Sequence, residues 1–201
     1  MGMTLIPRAG RLIAIVVAMV SLAVVVQAGT LTVTVTDRAS GAALAKATVA
    51  LVHESNVVAA GRTDGNGVWT GPAPVAGAWV VAHKKLYAPV ARQLTGEAAS
   101  LSIALEGLQT EQFKNLGRIV GFVKSAAGQP LSTATLVMLR EGKPVGVTQT
   151  QNASGVYELE WYPPGTYTVL GTAPGFANRP YANQQVAAGQ ALWLEVTLQP
   201  R

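Results

Sequence analysis

The sequence contains no cysteine and only two histidines in 201 residues. The first absence excludes thiolate zinc sites, disulfide staples, redox thiol pairs and a lipid anchor on cysteine. The second leaves imidazole chemistry to His53 and His83, and neither opens a His-x-x-Glu or His-Glu-x-x-His pattern, so zinc-peptidase spacing is missing. Charged residues make up 12% of the chain, against about 25% in an ordinary globular protein, while 49% of the residues are hydrophobic. That balance excludes a disordered tail and a solvated coiled coil. The basic residues are scattered, with Lys84 and Lys85 adjacent. A phosphate-binding footprint needs clustering on one face, so nucleic acid is not indicated as a partner. Beyond residue 28, no segment repeats apolar residues at helical spacing.

What is present begins with a leader. Arg8 and Arg11 precede an apolar run from Leu12 to Val26, which is followed by Gln27 and Ala28. A positive start, a run shorter than the roughly 20 residues of a spanning helix and small residues at 26 and 28 together predict a signal peptide over 1–28, cleaved after Ala28. The mature chain then starts at Gly29 in a periplasm or outside the cell, free of the membrane. Losing the two arginines lowers the formal charge from +5 to +3.

The remainder repeats itself. Gly41 to Val52 aligns with Gly128 to Leu139 at an offset of 87, Asp64 to Trp69 with Asn152 to Tyr157 at 88, and Gly77 to Trp79 with Gly165 to Tyr167 at 88. Three blocks in near-constant register indicate a tandem duplication: a first domain over 29–107, a linker over 108–116 and a second domain over 117–201. Two copies of domain size argue against a solenoid, whose units cannot bury a core singly.

Within each copy the period is two. Leu31, Val33 and Val35 alternate with Thr30, Thr32, Thr34 and Thr36, as apolar and polar residues do along a half-buried strand. Leu101, Ile103 and Leu105 repeat the pattern, as do Leu192, Leu194, Val196 and Leu198. Between these ends lie short β-rich runs near 47–53, 57–63, 67–70, 78–83, 134–140, 144–150, 155–162 and 165–170, bounded by turn residues. The fold class predicted is all-β, with two tandem seven-stranded sandwiches of immunoglobulin or transthyretin type.

The second copy resembles a known family. Gly155 to Leu170, with Tyr157, Pro163, Gly165 and Tyr167, followed by Ala173 to Phe176, is similar to the carboxypeptidase regulatory-like domain, a transthyretin-like or prealbumin-like sandwich. Ile119 to Lys124, Gly128 to Leu131 and Ala134 to Leu139 resemble that family's first hairpin. The first copy matches more loosely. The resemblance implies an accessory, spacer or interaction module of exported and envelope proteins, with no catalytic residues to carry over. The hydrolase branch of the transthyretin-like group ends in a Tyr-Arg-Gly-Ser tail, whereas this chain ends Leu198, Gln199, Pro200, Arg201.

The polar residues offer little chemistry. His83 shares a strand face with Trp79 and Val81 and reads as a strand-end residue. Glu158 and Glu160 stand about 6.6 Å apart along one strand, a spacing used by glycosidase carboxylates, but acids that flank a glycosidic bond face each other across a cleft; these read as a solvated face. Asp64 to Gly67 has one carboxylate and no later bidentate glutamate, too few oxygens for calcium, and reads as a hairpin turn. Asn152 to Ser154 has the form of a glycosylation sequon. An isopeptide from Lys124 lacks its last-strand asparagine. Tyr157, Leu159, Tyr167 and Val169 are expected to stack across a hairpin closed by Pro163, Pro164 and Gly165.

Two tryptophans remain as contact residues for a ligand or partner. Trp193 alternates with the inward Leu192, Leu194 and Val196, so it points outward beside Glu195. Trp161 precedes Tyr162 and the proline turn; it either faces outward or packs on a neighbouring loop or the other domain. The sequence thus predicts no enzyme, no catalytic residue, no cofactor and no metal. The function indicated is an exported structural or interaction module of the cell envelope, serving an envelope or secreted protein. The alternative is a carbohydrate-binding protein that holds polysaccharide on outward tryptophans. Leu108, Phe113 and Leu116 should anchor the linker and make the pair an elongated, semi-rigid rod.

Overall fold

The computed structural model describes residues 29–96 and 99–201, so the expected leader and its cleavage site lie outside the described residues. The first half contains β1 (Thr30–Asp37), β2 (Thr48–His53), β3 (Asn56–Arg62), β4 (Val68–Pro72), β5 (Trp79–His83), β6 (Val90–Gln93) and β7 (Ser100–Leu105). A 3₁₀ turn over Thr110–Asn115 leads to β8 (Gly117–Ser125), β9 (Thr135–Arg140), β10 (Lys143–Gln149), β11 (Val156–Tyr162), β12 (Gly165–Thr172), β13 (Arg179–Val186), β14 (Ala191–Trp193) and β15 (Val196–Leu198). The all-β sandwich fold read from the sequence is the fold observed.

Each half is two facing sheets. In the first, β4-β1-β7 faces β3-β2-β5-β6; in the second, β11-β8-β14, with β15 also on β8, faces β10-β9-β12-β13. The last strands, β7 in one half and β14 and β15 in the other, run parallel to the first strand of their half. Leu31, Val33, Val35, Val49, Leu51, Val80 and Ile103 fill the first core, and Ile119, Val123, Leu136, Met138, Tyr157, Leu159 and Val169 the second.

Several expected hairpins are crossovers instead. β8 and β9 lie in opposite sheets, so the first two strands of the second half form an arch. β11 pairs with β8 whereas β12 pairs with β9 and β13, so Tyr157 and Leu159 meet Tyr167 and Val169 across the core, not as ladder neighbours. Pro163 and Pro164 have no N–H with which to continue a ladder, and the Tyr167 hydroxyl donates to the Pro163 carbonyl at 2.7 Å, fixing the arch. The turn at Asp64 likewise links β3 to β4 in different sheets; its carboxylate accepts from the backbone N–H groups of Asn66 and Val68.

The sixth strand of each half, β6 or β13, is a sheet edge whose residues are mostly exposed or half-buried, so its sequence carries no sustained apolar alternation. The last strand of the second half is interrupted at Leu194. Its carbonyl approaches Gly121, where a side chain would collide with it, and accepts the Tyr157 hydroxyl at 2.8 Å.

The two halves are not strung end to end. Ala50, Val52 and Val81 of the first half and Val137, Leu139, Val147 and Leu170 of the second form a third buried apolar cluster between the facing sheets. Alternation in β2 sends Val49 and Leu51 into the first core and Ala50 and Val52 into this seam. The expected rod is therefore replaced by a face-to-face stack, held by sheet packing in which burying each large aliphatic side chain contributes about 1.5–3 kcal/mol. Of the expected anchors Leu108, Phe113 and Leu116, Phe113 places its ring centroid 4.2 Å from that of Trp161.

Candidate functional site

Three places concentrate candidate side chains, and the first is the outward face of β11-β8-β14. Val120 has Glu158 and Trp193 as its Cα partners on either side, and Phe122 has Val156. Trp193 is 63% exposed, as alternation predicts, and Val156 is exposed as well. The Phe122 and Trp193 rings lie 6.0 Å apart at 58°. Ion pairs border the strip: Arg118 to Glu158 at 3.0 Å, and Lys124 to Glu195. The corresponding face of the first half is dominated by hydroxyls, with Thr32 between Thr70 and Ser100, and Thr34 between Val68 and Ser102.

Trp161 goes elsewhere. The β11–β8 register slips by one residue between Leu159 and Tyr162, so an extra residue enters the strand. Trp161 sits in this bulge at φ 66°, the left-handed region costly for a bulky side chain. The slip returns Tyr162 to the core and turns the Trp161 ring onto Phe113. No ring contact or shared cavity joins Trp161 to Trp193 among the described residues. A cleft of about 520 Å³ opens where the linker, the Ala88–Pro89 loop and the second sandwich meet, bordered by Trp161, Tyr162, Tyr167 and Arg140. The sequence reading singled out Trp161 but not Arg140 or Tyr162, since a bulge has no local signature here beyond three bulky residues in succession.

The third place is a polar pocket at the seam, lined by His83, Lys85, Glu158 and Glu160 among others. Glu160 was expected on a solvated face; the bulge instead buries it, its side chain 6% exposed and 3.7 Å from Lys85. Burial pushes its carboxyl up to about 7, with the charge of Glu158 adding to the rise and Lys85 opposing it. His83 is buried on the seam side of β5; desolvation pulls its imidazole down to about 4, and its Nε2 has no hydrogen-bond partner among the described residues. Both groups are thus pressed toward their neutral forms. Glu158 and Glu160 lie side by side and do not oppose one another across a sugar-sized cleft. Asn152 binds Ser154 within an exposed turn, and Lys124 is paired with Glu195.

Residues 118–199, from β8 through β15, match the carboxypeptidase regulatory-like domain family. No curated protein matches the chain. Among solved structures, the Bacillus anthracis TIE protein is 22% identical over 85% of this chain and 34% of its own, with a TM-score of 0.34. A streptococcal ancillary pilin is 13% identical over 88% of this chain and 63% of its own, at 0.33. The shaft pilin SpaA from Lactobacillus rhamnosus GG is 14% identical over 87% of this chain and 98% of its own, at 0.31. This chain therefore spans less than two thirds of the first two. Scores of this size assign no role; the segment 118–199 is the part of the chain that a family claims.

Proposed function

We propose that the chain is an exported, non-catalytic accessory module of the cell envelope, which docks a partner protein through the outward face of β11-β8-β14 around Trp193. The observation that carries this reading is the asymmetry between two faces of equal topology: hydroxyl-bearing in the first half, aromatic with a charged border in the second. An exposed aromatic centre inside a polar rim is the anatomy of a protein interface. The reading includes the leader over 1–28, with Gly29 as mature N-terminus, and a first domain over 29–107 that duplicates the second over 117–201.

Support for the duplication comes from detail beyond strand order. Thr63 and Thr150 are buried and accept from the backbone N–H of Ala47 and Ala134, sixteen residues earlier in both cases. Gly67 and Gly155 both take φ 73°, and a side chain at either would strike the carbonyl of the equivalent Val35 or Val123.

A carbohydrate reading needs ring faces on which a sugar can lie flat. Trp193 offers one, but Phe122 is inclined to it and Trp161 is occupied by Phe113. The test is a photocrosslinking residue placed at 193 or at Thr34 in the exporting cell. One discrete protein adduct from 193 and none from 34 is expected. Equal adducts from both would overturn the proposal, and retention on host polysaccharide lost in Trp193→Ala would transfer it to the carbohydrate alternative.

A further inference from the structure

The cleft beside the linker has a chemistry that the docking face does not use. Its volume of about 520 Å³ falls within the roughly 300–1,000 Å³ typical of small-molecule sites. It lies at a junction of domains, where such sites concentrate. Leu108, Leu116, Val145 and Pro163 give it apolar walls, and no acidic residue lines it among the described residues. Its charged member is Arg140, whose guanidinium stands 5.7 Å from the Tyr167 ring centroid and joins no ion pair among the described residues. An apolar chamber with one unneutralised guanidinium at its wall favours an anion with an apolar body.

Two further lining residues point the same way. The indole Nε1 of Trp161 and the hydroxyl of Tyr162 are buried without hydrogen-bond partners among the described residues, the hydroxyl packed against Gly146 and the indole on the residue that moves with the bulge. Each unmade bond costs free energy, and an indole N–H can only donate. Acceptor atoms on a ligand recover the cost of the Trp161 bond when its ring shifts to meet them. The ring's neighbours are mobile enough to allow such a shift: Phe113 belongs to a 3₁₀ segment without a buried residue among those described, the Arg118 guanidinium stands 6.0 Å from the ring centroid, and the backbone at Trp161 is strained.

We propose that this cleft binds a small monocarboxylate with an apolar body, its carboxylate paired with Arg140 and its body packed against Leu108, Leu116 and Val145. The site spans all three segments of the chain, so occupancy also braces the linker against the second half. This inference stands independently of the docking surface around Trp193.

The test titrates the purified protein with decanoate, 1-decanol or decyltrimethylammonium below their aggregation concentrations, read by calorimetry and by tryptophan fluorescence. Decanoate is expected to saturate one site at least tenfold more tightly than decanol, with a fluorescence change, and the cationic amphiphile to give no saturable signal. Arg140→Gln should reduce decanoate to the decanol value, while Arg92→Gln, which removes an equal charge from an exposed edge strand, should not. Leu108→Trp, which fills the chamber, should abolish binding of both. Arg140 is exposed, so its variant should keep the parent circular dichroism spectrum. Equal binding of the cation and decanoate, non-saturable uptake, or equal loss in Arg140→Gln and Arg92→Gln would each overturn the proposal.

Discussion

Replacing Glu160 by glutamine should change the shape of the stability-against-pH curve, because two buried groups at the seam titrate in opposition. Glu160 is raised from 4.5 to about 7 by burial, Glu158 adding to the rise. Its folded form therefore holds a proton more tightly than the unfolded chain does. That contribution is complete below pH 4.5 and is lost as pH rises through 7. His83 is lowered from 6.5 to about 4 by burial, so the unfolded chain binds the proton more tightly. Its contribution is complete above pH 6.5 and is lost as pH falls toward 4. The His83 displacement corresponds to at most roughly 3 kcal/mol at about 1.4 kcal/mol per pH unit; that of Glu160 is smaller, because solvent screens its pairing with the exposed Lys85. Between pH 4.5 and 6.5 the two slopes oppose each other, and the wild-type protein should vary less with pH than either single variant. Glu160→Gln removes one slope: stability should then climb by up to about 3 kcal/mol from pH 4 to 6.5 and exceed wild type at pH 8. His83→Gln should produce the mirror image, a decline from pH 4.5 to 7. Urea unfolding at half-unit intervals from pH 4 to 8, with the m-value held constant as a check on two-state behaviour, measures both. Identical profiles for wild type and Glu160→Gln would refute the reasoning, since they would mean that the Glu160 carboxyl is as well solvated in the fold as in the unfolded chain.

Three further outcomes follow from the packing. An isolated 117–201 fragment exposes Val137, Leu139, Val147 and Leu170 and should self-associate; Val147→Lys should return it to a monomer in analytical ultracentrifugation, and a monomeric unsubstituted fragment would count against a seam of this strength. Gly155→Ala meets both a left-handed backbone and the Val123 carbonyl, so it should cost more than about 2 kcal/mol; Gly128→Ala, equally left-handed but facing open space, should cost about 1 kcal/mol, and equal thermal shifts would contradict the account. Tyr157→Phe deletes the hydrogen bond to the Leu194 carbonyl and should cost roughly 1–2 kcal/mol, with faster amide exchange at residues 191–198 as its local signature.

The sequence by itself determined the class of fold, because a period of two in Leu31 to Val35 or Leu192 to Val196 is dictated by strand geometry and needs no partner to be read. It determined the outward direction of Trp193 for the same reason. It also set the arches at Asp64 and Pro163 as chain reversals, through side-chain acceptors and missing N–H groups that act locally. Which strands those reversals join was decided by tertiary structure: an arch and a hairpin need the same turn residues and differ only in whether the next strand finds its hydrogen bonds in the same sheet or in the opposite one. The burial of Glu160 and the place of Trp161 were decided in the same way. A one-residue bulge in β11 shifts the phase of alternation, and it forms because Tyr162 gains a core position and Trp161 a partner in Phe113, 48 residues away. The seam between the halves left one trace in the sequence: the unbroken apolar runs in β2 and β9, buried on both faces. Those runs show that something covers the second face. Only the folded chain, by bringing two such faces within reach of each other, decided that each covers the other.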